Sequence, residues 1–164
     1  QGRPHPNIIS LKLTSTDQDF LHREFWYFCA MKESVTEIKV RGYHADLYGH
    51  VNNARYLELL EEARWNHFEN SVDSEEFKRN GWAFVLVNIN INYRKPALPG
   101  DVLQIHTSYK THGSRSMTMH QRCLLNGTEA VAADADITFV VLDSKTGKVV
   151  PLEGRLLEML SPAA

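Results

Sequence analysis

The sequence predicts an α+β fold, a curved antiparallel sheet of about five strands wrapped around one long helix. Three observations carry that prediction. One segment, from Asn52 or Asn53 to about Asn70, keeps apolar residues at helical spacing. One strand-like segment precedes it and four follow it, with apolar residues recurring at every second position. The last two of these flank Asn126-Gly127, the strongest short hairpin signal.

Each element follows in chain order. Thr36, Ile38 and Val40 alternate with Val35, Glu37, Lys39 and Arg41, the pattern of a half-buried strand. After a turn at Gly49, Asn52 or Asn53 caps the helix. Tyr56, Leu60 and Ala63, with Leu57 beside them, form its apolar stripe, while Arg55, Glu58, Glu62 and Glu69 take polar positions. The polar connector Ser71 to Gly81 has room for one short helical turn. From Ala83 the period becomes two. Ala83, Val85, Val87, Ile89, Ile91 and Tyr93 fall on one face of a long strand. Phe84 and Leu86, then Asn88, Asn90 and Asn92, fall on the other. A strand apolar on one side and amide-bearing on the other suits a sheet that wraps something on a single face. Pro96 and the turn Pro99-Gly100-Asp101 end it. Leu103, Ile105, Thr107 and Tyr109 mark the next strand, and His112-Gly113-Ser114 a turn. Met117 to Leu125 and Thr128 to Leu142 are the hairpin arms. Asp143 to Lys148 turns again, and Leu152 to Leu160 forms a short terminal helix. The expected connectivity is strand, helix, then four strands in meander.

A chain of 164 residues fits one domain with a real core. Its 43% hydrophobic and 23% charged residues are ordinary for a soluble globular protein. A net charge of −2 and the lack of any Lys/Arg cluster argue against nucleic acid as a partner. No apolar run approaches the roughly 18 residues of a membrane span. Cys29 and Cys123 are too few for a disulfide framework, so a reducing cytoplasm is expected, and Cys123 reads as a buried, inert thiol. Residues 1–30 read as an N-terminal extension, a vector-derived leader or a mis-assigned start, because Met31-Lys-Glu-Ser resembles a natural translation start. That stretch lacks a signal peptide's cleavage pattern and apolar core, and its cluster Phe25-Trp26-Tyr27-Phe28 could pack on the domain or on a neighbouring chain. The domain proper is then 31–164.

The stretch from Arg41 to Tyr56 carries the chemistry. It sets Asp46 just before a glycine turn and then opens a helix. The unpaired N–H groups of a helix's first turn, with roughly half a positive charge, can hold a polarised carbonyl oxygen. A carboxylate beside them can activate water or attack that carbonyl directly. The arrangement reads as an acyl-transfer site, against the simpler alternative that Asp46 only caps a turn.

These residues resemble the hot-dog-fold acyl-CoA thioesterases, specifically the 4-hydroxybenzoyl-CoA thioesterase-like group. The resemblance rests on Asp46-Leu-Tyr-Gly49-His50-Val51-Asn52-Asn53 with Tyr56 after it. A closer resemblance is to bacterial long-chain acyl-CoA thioesterases, through Val40-Arg-Gly-Tyr-His44, Leu60-Glu-Glu-Ala-Arg-Trp65, Val87 to Arg94 and Ala133 to Phe139. It runs from about Val35 to Leu157 and implies hydrolysis of a medium- to long-chain fatty acyl-CoA. It also implies a homodimer or homotetramer with the active site at the dimer interface, and neither a metal nor another cofactor. Asp46 takes the family's catalytic-acid position, as nucleophile or general base. The backbone from Gly49 through His50 and Val51 to Asn53 is the expected oxyanion cradle. His50 could bond Asp46, orient water or protonate the thiolate, a step that a good leaving group does not require. Tyr56 could line the acyl pocket or belong to the core. Glu62 matches the helix carboxylate that some hot-dog enzymes use, and otherwise is a solvated helix glutamate. Arg94, Lys95 and Arg115, at strand ends, are candidates for the phosphates of CoA. His44, Asp46 and His50 could also be read as metal ligands, although the family often has an acid where His44 stands.

Overall fold

The computed structural model describes residues 33–160; the expected extension 1–30 lies outside them. Five strands form one antiparallel sheet: β1 (Ser34–Lys39), β2 (Trp82–Tyr93), β3 (Val102–His112), β4 (Met117–Leu125) and β5 (Val131–Asp143). Among the described residues three α-helices, α1 (Asn53–Ser71), α2 (Ser74–Arg79) and α3 (Gly154–Leu160), and one 3-10 turn, Gly42–His44, accompany it.

The strand order is β1-β3-β4-β5-β2, which corrects the expected four-strand meander. Only β3, β4 and β5 follow one another; β2 crosses to the far edge beside β5. The reason lies in residues 94–101. Their sequence holds two prolines and an extended run, so they cross the end of the sheet instead of reversing direction. Arg94 and Lys95 donate N–H bonds to Ala132, Val51 donates to Ala97, and Gly100 donates to Val40. Three strand spacings are about 14 Å, well within the reach of roughly 26 Å for such a segment.

α1 lies on one face of the sheet. Asn52 caps it, its Oδ1 accepting the Ala54 N–H at 2.9 Å. The helix buries Tyr56, Leu59, Leu60, Ala63 and His67. Leu57, expected beside the stripe, is 38% exposed, because one residue's 100° rotation carries it past the edge. The buried stripe meets Val40, Leu103, Ile105, Cys123, Ala135 and Ile137 of the sheet. One buried amide pins helix to sheet. Gln121, fully buried on β4, donates to the Leu60 carbonyl at 3.0 Å and the Thr107 hydroxyl at 2.9 Å, and accepts from Arg64 at 3.0 Å.

β2 departs from its simple alternation. Leu86 pairs with Phe139 but Asn88 with Thr138, so a bulge at Val87 shifts the parity. Phe84 and Leu86 therefore share the inner face with Ile89, Ile91 and Tyr93, while Val85 and Val87 stand 37% and 54% exposed. The asparagines Asn88, Asn90 and Asn92 do occupy the outer face, opposite Thr138, Asp136 and Asp134.

The remaining elements close the far end. The expected connector helix is α2, capped by Asp73, whose carboxylate accepts the Glu75 and Glu76 N–H groups. Arg155 of α3 makes a two-pronged ion pair with Glu76, at 2.7 and 2.6 Å. Asn126 and Gly127 take positive φ at 52° and 68°, as the hairpin requires. β5 starts at Val131 instead of Thr128, because the Thr128 N–H and hydroxyl both bond the Leu125 carbonyl and extend the turn.

Candidate active site

Asp46 sits in a loop closed on itself. Its N–H donates to His50 O at 3.0 Å, and the Gly49 N–H donates to Asp46 O at 3.0 Å. Gly49 has φ +79°, a left-handed conformation that side chains disfavour. Ala45 and Val51 then bridge across the loop, and Asn52 N–H bonds His44 O at 2.9 Å. This closure delivers the chain straight into the start of α1.

The Asp46 carboxylate is 22% exposed and its two oxygens differ. Oδ1 accepts the Tyr48 N–H at 2.9 Å and faces His50 Nδ1 at 3.9 Å. Oδ2 carries no hydrogen bond among the described residues. So Asp46 does cap a turn, as the simpler alternative holds, but with one oxygen only.

The same accounting sorts the helix entrance. The N–H groups of Gly49, Val51 and Asn52 are spent on Asp46, Ala97 and His44 carbonyls. Ala54 N–H bonds the side chains of Asn52 and Asn53, and Arg55 N–H bonds Asn52 O. Within the expected cradle, the N–H groups of His50 and Asn53 are the ones with no acceptor among the described residues.

A cavity of about 530 Å³ joins these groups, lined by Asp46, Tyr48, His50, Val51, Asn53, Tyr56, Tyr93, Arg94, Lys95 and Pro96. Seven expected site residues thus share one hollow: Asp46, His50, Val51, Asn53, Tyr56, Arg94 and Lys95. Gly49 belongs to the turn but does not line it. Glu62 is exposed on α1 outside the cavity. Arg115 lies in the turn between β3 and β4, the length of β3 away, roughly 30 Å.

The lining residues have distinct conditions. Tyr56 is buried, and burial pushes its hydroxyl up to about 12, so it stays neutral. Its ring packs on Tyr93 at 5.5 Å, and the Tyr93 hydroxyl donates to Asn53 O at 3.0 Å. Arg94 is committed elsewhere: its Nε bonds Asp134, which holds that carboxyl below its ordinary range. Lys95 has no ion-pair partner among the described residues, so it is the cation available at the rim. His44 is buried, and its Nδ1 accepts the Arg41 N–H at 3.0 Å. Burial, then the charge of Arg55, lowers its pKa. Among the described residues His44, Asp46 and His50 do not form a ligand cluster. Cys123 is a buried free thiol, pushed up to about 12 by burial, and chemically inert.

Residues 40–160 match the model of the thioesterase-like superfamily. The chain belongs to that superfamily. It is 52% identical over 125 residues to the long-chain acyl-CoA thioesterase FadM of Escherichia coli (strain K12), covering 76% of this chain and 95% of that protein. The crystal structure of YbaW, a probable thioesterase from Escherichia coli, superposes with a TM-score of 0.75 at 50% identity, covering 79% of this chain and 97% of that one. Slr0204, a 1,4-dihydroxy-2-naphthoyl-CoA thioesterase from Synechocystis, shares the fold at a TM-score of 0.69 and 17% identity, covering 79% and 96%. The sheet around one helix is the hot-dog fold of this superfamily.

Three residues that line the Asp46 cavity escaped the sequence reading. Tyr48 carried a signal: it stands two residues after an aspartate, where an Asx turn places its N–H on the carboxylate. Tyr93 and Pro96 belong to the Tyr93-Arg94-Lys95-Pro96 ending of the long strand that contributes to the resemblance, but the sequence reading gives neither of them a role at the site. What brings them to Asp46 is the sheet-crossing connector, whose course no local pattern fixes.

Proposed function

We propose that this thioesterase-superfamily chain hydrolyses fatty acyl-CoA to free acid and CoA at the Asp46 cavity. One observation carries the reading: Asp46, with a carboxylate oxygen that has no partner among the described residues, lines one cavity with His50 and Asn53, whose N–H groups at the entrance to α1 also have none there. The thioester carbonyl oxygen accepts from the His50 and Asn53 N–H groups. As the carbonyl carbon turns tetrahedral, its oxygen gains charge, and one such donor contributes roughly 3 to 4 kcal/mol to the transition state. Asp46 Oδ2 then acts in one of two ways. As general base it takes a proton from water while the water oxygen bonds the acyl carbon. As nucleophile it bonds that carbon itself, giving a mixed anhydride that water then cleaves. In both the C–S bond breaks and the electron pair leaves on the CoA sulfur. Tyr56 and Tyr93 shield the acyl group, and Lys95, the cation that Asp134 leaves available, meets the CoA phosphates. With little cysteine, the chain suits a reducing cytoplasm.

The protein acts as a homo-oligomer in this reading, its active site at the interface between two copies. β2 is a twelve-residue edge strand with Val85, Leu86 and Val87 exposed. Such an edge is a template for a second copy of itself across a two-fold axis. The resulting interface runs beside Tyr93 and the cavity.

The test measures thiol release from fatty acyl-CoAs and from the matching acyl-carrier-protein thioesters, for the native protein and Asp46→Ala. Release that depends on Asp46 is expected with CoA thioesters. Binding of acyl-CoA with no Asp46-dependent release would make the protein a non-catalytic thioester binder.

A further inference from the structure

A second cavity, of about 560 Å³, opens between the other half of α1 and the beginning of β2. Rings line it: Phe68 of α1, Phe77 of α2, Trp82 and Phe84 of β2, Tyr109 of β3 and Phe139 of β5. The rings brace one another. Phe84 lies 4.5 Å from Phe68, 4.6 Å from Phe77 and 5.0 Å from Phe139, centroid to centroid. Walls interlocked in this way hold a cavity open and give it a fixed shape. Exposed Glu61, Glu69 and Lys78 form its rim, with Trp65 52% and Leu86 44% exposed among them. Arg64 also reaches the wall, where its guanidinium is tied to the Gln121 carbonyl oxygen at 3.0 Å.

The volume suits a small ligand, since such sites run about 300 to 1,000 Å³. An aromatic interior with a charged rim suits an alkyl chain. Position supplies the connection to Asp46. Tyr56 of the Asp46 cavity and Glu61 of this one are five helix residues apart, about 8 Å; Phe68 is twelve residues on, about 18 Å. The inner face of β2 between the two hollows carries Ile89 and Ile91, both partly buried against the core, so the wall that separates them is apolar. An extended alkyl chain advances about 1.25 Å per carbon with ordinary 1.5 Å bonds, so 18 Å corresponds to about 14 carbons.

We propose that this aromatic chamber seats the distal part of the acyl chain of a thioester held at Asp46, and that its walls set the chain-length preference. The proposal rests on the thioester reading of the Asp46 cavity. Leu86 guards the approach from β2, and Phe84 forms the central partition. A chain too short to reach the chamber leaves it unfilled and gains nothing from it. Each methylene that enters removes further apolar surface from water.

The test compares kcat/KM for butanoyl-, octanoyl-, dodecanoyl- and hexadecanoyl-CoA in the native protein, Leu86→Trp and Phe84→Leu. Leu86→Trp, which narrows the approach, is expected to lower the hexadecanoyl-to-octanoyl ratio by about tenfold or more. Phe84→Leu, which opens the partition, is expected to raise it. A second measurement needs no turnover: hexadecanoic acid with a nitroxide at its chain end should quench the emission of Trp65 and Trp82. A protein carrying Trp65→Phe and Trp82→Phe should lose that quenching. Chain-length ratios unchanged in both variants, with no quenching, overturn the chamber while leaving hydrolysis standing; the cavity would then be filled by other protein. Quenching in a protein that hydrolyses none of the thioesters keeps the chamber and ends the thioester reading.

Discussion

Asp46 and His44 stand two residues apart and experience opposite surroundings. Asp46 spends one oxygen on its own turn and keeps the other toward the cavity. His44 is buried beneath, accepting a backbone N–H, with burial and the charges of Arg55 and Arg41 opposing its protonation and Glu58 favouring it. Its folded pKa is therefore below the ordinary 6.5, and the unfolded chain takes up the proton first. Stability is full above about pH 6.5 and declines as pH falls below it. Thermal melts from about pH 7.5 to 5.5 test this: the native protein should lose more Tm on acidification than His44→Asn. Parallel curves would remove His44 from the account. Much at this scale was legible: an acid before a glycine turn, and asparagines able to cap a helix, are local signals. The split between Arg94 and Lys95 was not. It depends on Asp134, forty residues on in sequence, which engages one cation and leaves the other.

Among the elements, α1 and β2 decide where the site can be. Gln121 locks the middle of α1 to the sheet, and its three bonds are all buried or partly buried. Replacing it with leucine leaves Arg64 and Thr107 without these partners. Gln121→Leu should cost about 2 to 3 kcal/mol in urea unfolding, since a buried unsatisfied group costs about 1 to 3. A loss below about 0.5 kcal/mol would show that α1 is held by its apolar stripe alone. The sequence exposed the helix well, because capping and period are local. It did not expose the bulge at Val87: Val85 stands two positions before it and Ile89 two after, and alternation reads straight through. Nor did it expose the crossing of β2. Consecutive strands usually pair, and only the bonds of residues 94–101 to Ala132 and Val40 show that these do not.

At the scale of the molecule, one sheet with two edges wraps one helix, and the edges differ. β1 is six residues long and exposes one valine, Val35, whereas β2 is twelve and presents Val85, Leu86 and Val87 together. Two copies joined through β2 would cover that edge. Val85→Asp combined with Val87→Asp sets like charges against each other across the two-fold, and sedimentation equilibrium should then show monomer where the native protein is a dimer. A native protein that is already monomeric at micromolar concentration would refute this assembly. The fold class was legible in the sequence because periodicity and turn signals agree along the whole chain. The two hollows were not, because each is built from elements distant in sequence. The hydrolysis reading depends on Asp46 performing chemistry. The most direct test is Asp46→Asn, an isosteric change that removes the base and nucleophile while keeping an oxygen for the Tyr48 N–H. Acyl-CoA affinity by calorimetry should stay within about threefold, while kcat for thiol release falls by about 10² to 10⁴. Undiminished turnover by Asp46→Asn would contradict the assignment.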